Sequence, residues 1–443
     1  VMMSSLALIT HERGYTVSGT DRTCTAVTQT LEQSGITVHY EHSAQAAEGA
    51  DMVVYTVAIS PDNPEYAYAR AQGIPCVSRA DYLGYIMMGY VHRAGIAGMH
   101  GKSSCTAMCA QIFLQATNAT VLCGAELPLL CNSTCCIGSE QEHFVFEACE
   151  YMDSFLDFYP TVAIILNVEM DHVDYFKSME HIYRSFGQFA AKTGEDGVVI
   201  ANGDDENVRR SLAGFSGKVL WFSRRDAAAD FFAADVSFSH GRASFDLVAN
   251  GESVCRVTLA VTGEHNVYNA LAAGAAAYIS GISGEDIAKG LANFRGAERR
   301  MEYKGRMNGA IVFDDYGHHP TEVKATLHES RLLGQGRLIC AFQPHTYSRT
   351  ATLFDDYVEA LGEADEIVVA PIYAARETDD CGVSATKLAA AVNAKAGKTV
   401  ALGCEDMALV ADALCRLARP GDTVIVMGAG NIDSVYVGLP LEK

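Results

Sequence analysis

The residues with the clearest chemical purpose lie in one stretch, Gly95-Ile96-Ala97-Gly98-Met99-His100-Gly101-Lys102-Ser103-Ser104. A short apolar segment feeds it, and residues 105–114 can continue from it as a helix. Strand, glycine turn, Lys-Ser and helix together cradle a nucleotide's phosphates. Glycines let backbone N–H groups approach an anion, and the helix N-terminus adds positive potential. In this reading Gly98, His100, Gly101, Lys102, Ser103 and Ser104 meet the nucleotide. Lys102 reaches the β- and γ-phosphates, and the Ser103 hydroxyl holds Mg²⁺. The common phosphate-loop pattern has Gly six residues before the lysine; here Ile96 stands there. The plain alternative is a Gly-rich turn with a solvated lysine.

Mg²⁺ beside phosphates needs further oxygen ligands. The short strand Phe144-Val145-Phe146 ends at Glu147, and an apolar strand over residues 162–166 ends in Asn167-Val168-Glu169-Met170-Asp171-His172. Glu147 is the natural partner for Ser103, and His172 suits a second metal. Taken singly, each is more often a strand-end cap or surface group; their joint occurrence behind a phosphate loop favours the metal. Asn266 and Asn269 lie three apart at the start of an Ala-rich helix over residues 267–279, where amides could read an adenine edge. N-capping by Asn266 is the alternative. Further on, two strand ends are crowded with polar chemistry: Asp314-Asp315-Tyr316-Gly317-His318-His319-Pro320-Thr321-Glu322 and Gln343-Pro344-His345-Thr346-Tyr347-Ser348-Arg349-Thr350. Solvated loops do not need such residues; these look like one face that closes over a neighbouring site. The Cys131, Cys135 and Cys136 spacing fits no common zinc module.

The elements that must position these residues follow from length and pattern. A chain of 443 residues suggests two to four domains. The formal charge of −21 leaves no basic surplus for nucleic acid. No apolar run reaches the roughly 20 residues of a membrane span, and the first residues show no signal peptide. Fourteen cysteines without framework spacing read as reduced thiols of a cytoplasmic protein. Before the phosphate loop, helices over residues 1–15, 27–33, 64–72 and 79–88 alternate with strands over 15–18, 36–40, 51–57 and 74–77. That alternation predicts a parallel, doubly wound sheet. Thr20, Asp21 and residues 56–60 then fall at strand ends, where such sheets take ligands; for Asp21 a turn role is the alternative. Residues 231–261 alternate with glycine breaks at Gly241 and Gly251, predicting antiparallel hairpins on the central sheet's edge. Strands over 311–313, 338–342, 367–370, 400–402 and 423–427, with helices between, predict a second α/β sheet. Residues 294–300 look like the hinge before it.

Taken together these stretches resemble the Mur ligases. The matching segments are GMHGKSS at 98–104, EACEYMDSFL at 147–156, NVEMDH at 167–172, GEHNVYNALAA at 263–273, the Arg299-Arg300 pair, DDYGHHPTE at 314–322, FQPHTYSRT at 342–350 and MGAGNI at 427–432. They run in the family's order through nearly the whole chain. The resemblance implies a three-domain α/β fold: a Rossmann-like UDP-substrate domain (residues 1–91), a phosphate-loop ATP domain with added antiparallel strands (92–299), and a Rossmann-like amino-acid domain (300–443). It implies ATP and Mg²⁺ as cofactors, and UDP-N-acetylmuramate and L-alanine as substrates joined through an acyl phosphate. By resemblance, Asn266 and Asn269 hold adenine, Arg299 contacts phosphates and Asp314 lies by the ribose. Tyr316, His318, His345 and Arg349 position the amino acid and acyl group. A recycling ligase that adds a preformed peptide is the alternative within the family; an ATP-binding switch is the alternative from another class, and a nicotinamide dehydrogenase lacks its fingerprint. The family begins with a strand and Gly-rich turn, and Val1 falls just after that turn, so either the sequence is truncated or weaker UDP-substrate binding is expected. Uncovered strand edges invite association, so a monomer or weak dimer is expected. Residues 123–136 match the family poorly.

Overall fold

The computed structural model describes residues 2–56, 59–130, 133–173, 175–331, 333–375, 377–378 and 381–442. Its opening helix, Met2–Glu12, buries Leu6 and Ile9. It closes at Gly14, in the left-handed region at φ +87°, whose N–H donates to the His11 carbonyl. The strands that follow pair in parallel, as their alternation with helices predicts. They form two separate ladders, Ser18–Thr20 with Thr37–His39 and Val53–Tyr55 with Cys76–Ser78, not one continuous sheet. Each strand is three residues long and none is fully buried, which leaves little apolar surface to weld the ladders together. The first strand starts at Ser18, where the pattern placed its end. Residues 57–58 of the expected ligand segment lie outside the described residues, as does Cys131.

The central sheet has ten strands, and its middle is parallel: His92–Ala97 lies between His143–Glu147 and Val162–Ile165. These strands are buried on both faces, as parallel strands covered by helices must be. Successive residues alternate between two cores. Val145, Ile164 and Ile200 face the helices Lys102–Ala116 and His265–Ile279, while Phe144, Phe146, Ile165 and Val199 face Phe155, Phe186 and Phe189. The helix His265–Ile279 is almost wholly buried, and its alanines let it lie close against the sheet and the helix Lys102–Ala116. The strands Phe231–Ser239, Arg242–Ala249 and Glu252–Thr262 add the antiparallel edge, with turns at Gly241 and Gly251.

The last sheet has six strands. Ala310–Asp315, Thr423–Met427 and Leu338–Phe342 lie side by side in parallel at its centre, and Glu302–Met307 adds an antiparallel edge. Pro320 opens the helix Pro320–Ser330 at its first turn, where a missing N–H costs nothing. No helix among the described residues is long and apolar enough to cross a membrane.

Candidate active site between the central and C-terminal domains

The strand His92–Ala97 delivers the chain to Gly98 and Gly101, at φ +146° and +79°, a region L side chains rarely adopt. A Cβ on Gly101 would lie 2.7 Å from Asn269 Oδ1, so the glycine is what lets the Ala-rich helix touch the loop. The next residue starts the helix Lys102–Ala116. Lys102 Nζ donates to the carbonyls of Gly98 (2.7 Å) and Met99 (3.2 Å) and lies 2.9 and 3.1 Å from the two Glu150 oxygens. Glu150 is fully buried. Burial alone would discharge both groups, but their mutual attraction raises the lysine's pKa and lowers the carboxyl's. The phosphate-loop cation therefore stays charged, parked on a carboxylate.

Glu150 also meets His172, whose Nε2 is 3.1 Å from Glu150 Oε1. His172 Nδ1 lies 3.4 Å from Nη2 of Arg349, which belongs to the C-terminal domain. Arg349 is buried and paired with buried Asp171, at 2.9 Å from Nε and 2.6 Å from Nη2 to Oδ1. Despite burial, the guanidinium drives the Asp171 carboxyl far below its ordinary range. Arg349 Nη1 contacts His345 Nδ1 at 3.2 Å, and the His345 ring stands 5.6 Å from that of His318. Burial first, then the Arg349 charge, push His345 down to about 4. Burial also pushes His318 down to about 3, with Glu322 opposing and Arg349 assisting. Both rings are neutral at physiological pH. The two crowded strand ends do meet, and they meet the phosphate-loop side of the central domain.

Glu147 accepts the Gly124 N–H at 2.9 Å. The buried Cys123 thiol touches both Glu147 Oε2 (4.0 Å) and the Ser103 backbone carbonyl (3.7 Å), so it bridges the start of the helix and this carboxylate. Burial and the Glu147 charge keep that thiol protonated.

A cavity of about 420 Å³ opens beside the loop. His100, Gly101 and Ser104 line it together with apolar Val261, Phe294, Phe313 and Leu333. Asn266 and Asn269 line it as well. Asn266 is not the helix cap: Glu264 holds that position, and Asn266 Nδ2 donates to the Thr262 carbonyl at 2.7 Å. Asn269 Nδ2 donates to Asn266 Oδ1 at 3.2 Å, orienting one amide by the other.

Arg299 and Asp314 do not line the cavity; Arg300 and Asp315 do. Neighbours on the strand Ala310–Asp315 point to opposite faces, so one aspartate must turn away. Arg299 donates to the Gly428 and Gly430 carbonyls (2.6 and 3.3 Å) and lies 3.4 Å from Asp314, whose carboxyl burial lifts to about 6 against the pull of Arg299. The Tyr316 ring is flanked by Arg299 and Arg300, each 5.2 Å from its centroid. Asp21 stands apart: it is exposed, and its carboxylate accepts from Thr23 N (3.1 Å) and Oγ1 (3.3 Å), a local turn. Sequence reasoning gave no role to Glu150, Glu169, Asp171, Arg300, Asp315 or Glu322. All lie inside the family-like segments, next to residues it did choose, and carboxylates among so many cations were the available signal.

A three-domain α/β chain with a phosphate loop facing a His- and Arg-bearing C-terminal sheet is the architecture of an ATP-dependent ligase. Family profiles match in the same order: the Mur ligase family, catalytic domain at residues 1–91, the Mur ligase middle domain at 96–277, and the Mur ligase, glutamate ligase domain at 299–430. A UDP-N-acetylmuramate–L-alanine ligase of Clostridium botulinum (strain Eklund 17B / Type B) is 41% identical over 440 residues, covering 99% of this chain and 94% of the relative. Its counterpart in Acetivibrio thermocellus is 40% identical, covering 98% and 92%. The crystal structure of a UDP-N-acetylmuramate–alanine ligase from Thermotoga maritima superposes with a TM-score of 0.79 at 26% identity, covering 98% of this chain and 94% of that one. A murein peptide ligase from Psychrobacter arcticus shares the fold, with a TM-score of 0.72 at 24% identity and coverage of 98% and 95%. The chain belongs to the Mur ligase family of ATP-dependent, ADP-forming ligases.

Proposed function

We propose that this Mur ligase joins L-alanine to UDP-N-acetylmuramate in peptidoglycan precursor synthesis. The observation that carries the proposal is the continuous line of groups from Lys102 through Glu150 and His172 to Arg349, which brings the phosphate loop and the C-terminal domain to one place. Full-length relatives that bear this name support the choice of substrates. The work divides as residues 1–91 for the UDP substrate, with Asp21 at a strand end there, 92–299 for ATP, and 300–443 for the amino acid. A cytoplasmic monomer or weak dimer completes the reading.

The chemistry has two steps. The muramoyl carboxylate attacks the γ-phosphate of ATP, releasing ADP and forming an acyl phosphate. The alanine amine then attacks the acyl carbon, and phosphate leaves. An anion attacking a triphosphate meets charge repulsion, which Lys102 relieves by leaving Glu150 for the phosphates. Ser103, Glu147 and His172 would hold Mg²⁺. A serine hydroxyl and a carboxylate are oxygen donors that a hard cation favours, and the Cys123 thiol bridges the Ser103 backbone to Glu147. When bound, Mg²⁺ supplies further positive charge at the phosphates. Asn266 and Asn269 orient the adenine in the cavity, and Arg300 and Asp315, beside Arg299 and Asp314, serve the ribose and phosphate side. Neutral His318 and His345, with Tyr316 and Arg349, position the amine against the acyl group.

The test is phosphate release measured with each substrate withheld in turn. Release that requires ATP, UDP-N-acetylmuramate and L-alanine together is expected. Turnover with a tripeptide but not with alanine would replace this reading by that of a recycling ligase. ATP turnover indifferent to both would make the chain a switch.

A further inference from the structure

We infer that His100, Glu169 and His319 form a zinc-class metal site that straddles the central and C-terminal domains. Their ligand atoms lie within 4.8 Å of one another. His100 sits in the phosphate loop, Glu169 follows the strand Val162–Ile165, and His319 caps the helix Pro320–Ser330. None is among the groups assigned above to Mg²⁺.

The hydrogen bonds around the trio turn one ligand atom of each residue toward the other two. His319 Nε2 faces the Met170 carbonyl at 3.1 Å. A carbonyl oxygen only accepts, so Nε2 carries the ring proton. Nδ1 is then left with its lone pair, which receives one long N–H contact from Thr321 at 3.4 Å and faces Glu169 Oε1 at 3.5 Å. Two acceptors turned toward each other repel unless positive charge lies beside them; against burial, Glu322 and Glu169 hold a proton on His100 that supplies it, and a metal would take that proton's place. His100 approaches the same carboxylate from the other side. Its Nδ1 lies 3.1 Å from Glu322 Oε1, while its Nε2 is in very close contact with the same Glu169 Oε1. Thr321 Oγ1 donates to Glu169 Oε2 at 2.9 Å, which leaves Oε1 turned toward both imidazoles.

Each imidazole thus has its outer nitrogen fixed, one by a carboxylate and one by a backbone carbonyl. That is how metal-ligating histidines are oriented. The backbone of His100 is itself pinned: its N–H donates to Asn167 Oδ1 at 2.8 Å, and Asn167 Nδ2 donates to its carbonyl at 2.9 Å. Two imidazoles and one carboxylate are a set Zn²⁺ favours. Mg²⁺ prefers oxygen alone. With ligands from both domains, the metal clamps them closed. Product release needs opening, so occupancy slows turnover.

The test is titration of the full chain with Co²⁺ as a spectroscopic stand-in, in millimolar Mg²⁺ to saturate oxygen-only sites. One equivalent is expected to bind with visible bands of nitrogen and oxygen ligation and no thiolate charge transfer. Glu322→Gln, which removes the carboxylate behind His100, is expected to weaken binding about 10–100-fold. His319→Asn, which keeps a capping side chain, and Glu169→Gln, which keeps the shape, are expected to weaken it further. Zn²⁺ is expected to raise the melting temperature of the parent and of neither ligand variant. Parent-like Co²⁺ affinity in the folded variants, a thiolate spectrum, or no binding by the parent would each overturn the site.

Discussion

Arg349→Ala gives the sharpest test of how the domains cooperate. In the closed arrangement Arg349 neutralises Asp171, which is 2% exposed, and supports His345 and His172. Removing one partner of a buried pair leaves an uncompensated charge and costs about 3–5 kcal/mol. That penalty falls on the closed state, because Asp171 regains water when the C-terminal domain swings away. The closed population, and amide formation with it, should therefore fall by about 10²–10³-fold or more, taking tenfold per 1.36 kcal/mol. ATP affinity should change little, since Gly101, Ser104, Asn266 and Asn269 belong to the central domain. Arg349→Ala with Asp171→Asn removes the stranded charge and should recover part of the loss, a coupling that a double-variant cycle measures. The assay is ATP affinity by calorimetry beside substrate-dependent phosphate release on the same preparations. Product formation within tenfold of the parent by folded Arg349→Ala would refute the reasoning; so would an equal collapse of ATP affinity.

Lys102→Ala should cost about 3–4 kcal/mol of transition-state stabilisation; a ligation rate within tenfold of the parent would show that the lysine does not serve the γ-phosphate. Glu147→Gln and His172→Ala should raise the Mg²⁺ concentration for half-maximal activity, and an unchanged titration in both would make these strand-end residues structural. Acid should loosen the C-terminal cluster. His318 and His345, held down to about 3 and about 4, bind protons more readily unfolded than folded. Their stability contribution is full above the ordinary histidine value near 6.5 and declines as pH falls toward the folded values, by about 1.4 kcal/mol per unit for each ring. Denaturation midpoints at pH 7 and pH 5 should therefore differ less in His345→Gln than in the parent; an identical difference would remove His345 from this account.

Much of the site was legible locally. Positive-φ glycines, a lysine and a helix start are consecutive residues, so their spacing alone predicts a phosphate loop at Gly98–Lys102. Positions of Glu147, His318 and His345 at strand ends follow from apolar runs stopping at or just before them, while His172 and Arg349 lie further on, Arg349 in the short helix Tyr347–Thr352. Pro320 at the first helical turn is equally local. What proximity along the chain cannot tell is which strand ends face each other. Asp171 and Arg349 are 178 residues apart, and only the packing of two sheets makes them a buried pair. Pleating decided that Asp315 rather than Asp314 would line the cavity, where Arg300 rather than Arg299 joins it. The N-terminal strands show the same limit: alternation predicts parallel pairing, but the join between ladders depends on long-range surface that three-residue strands do not supply. Sequence by itself thus determined the local geometry that backbone dihedrals and apolar periodicity control. Tertiary structure alone decided the partners of the buried charges, because a charge can leave water only where the fold brings its counter-charge within a few ångströms.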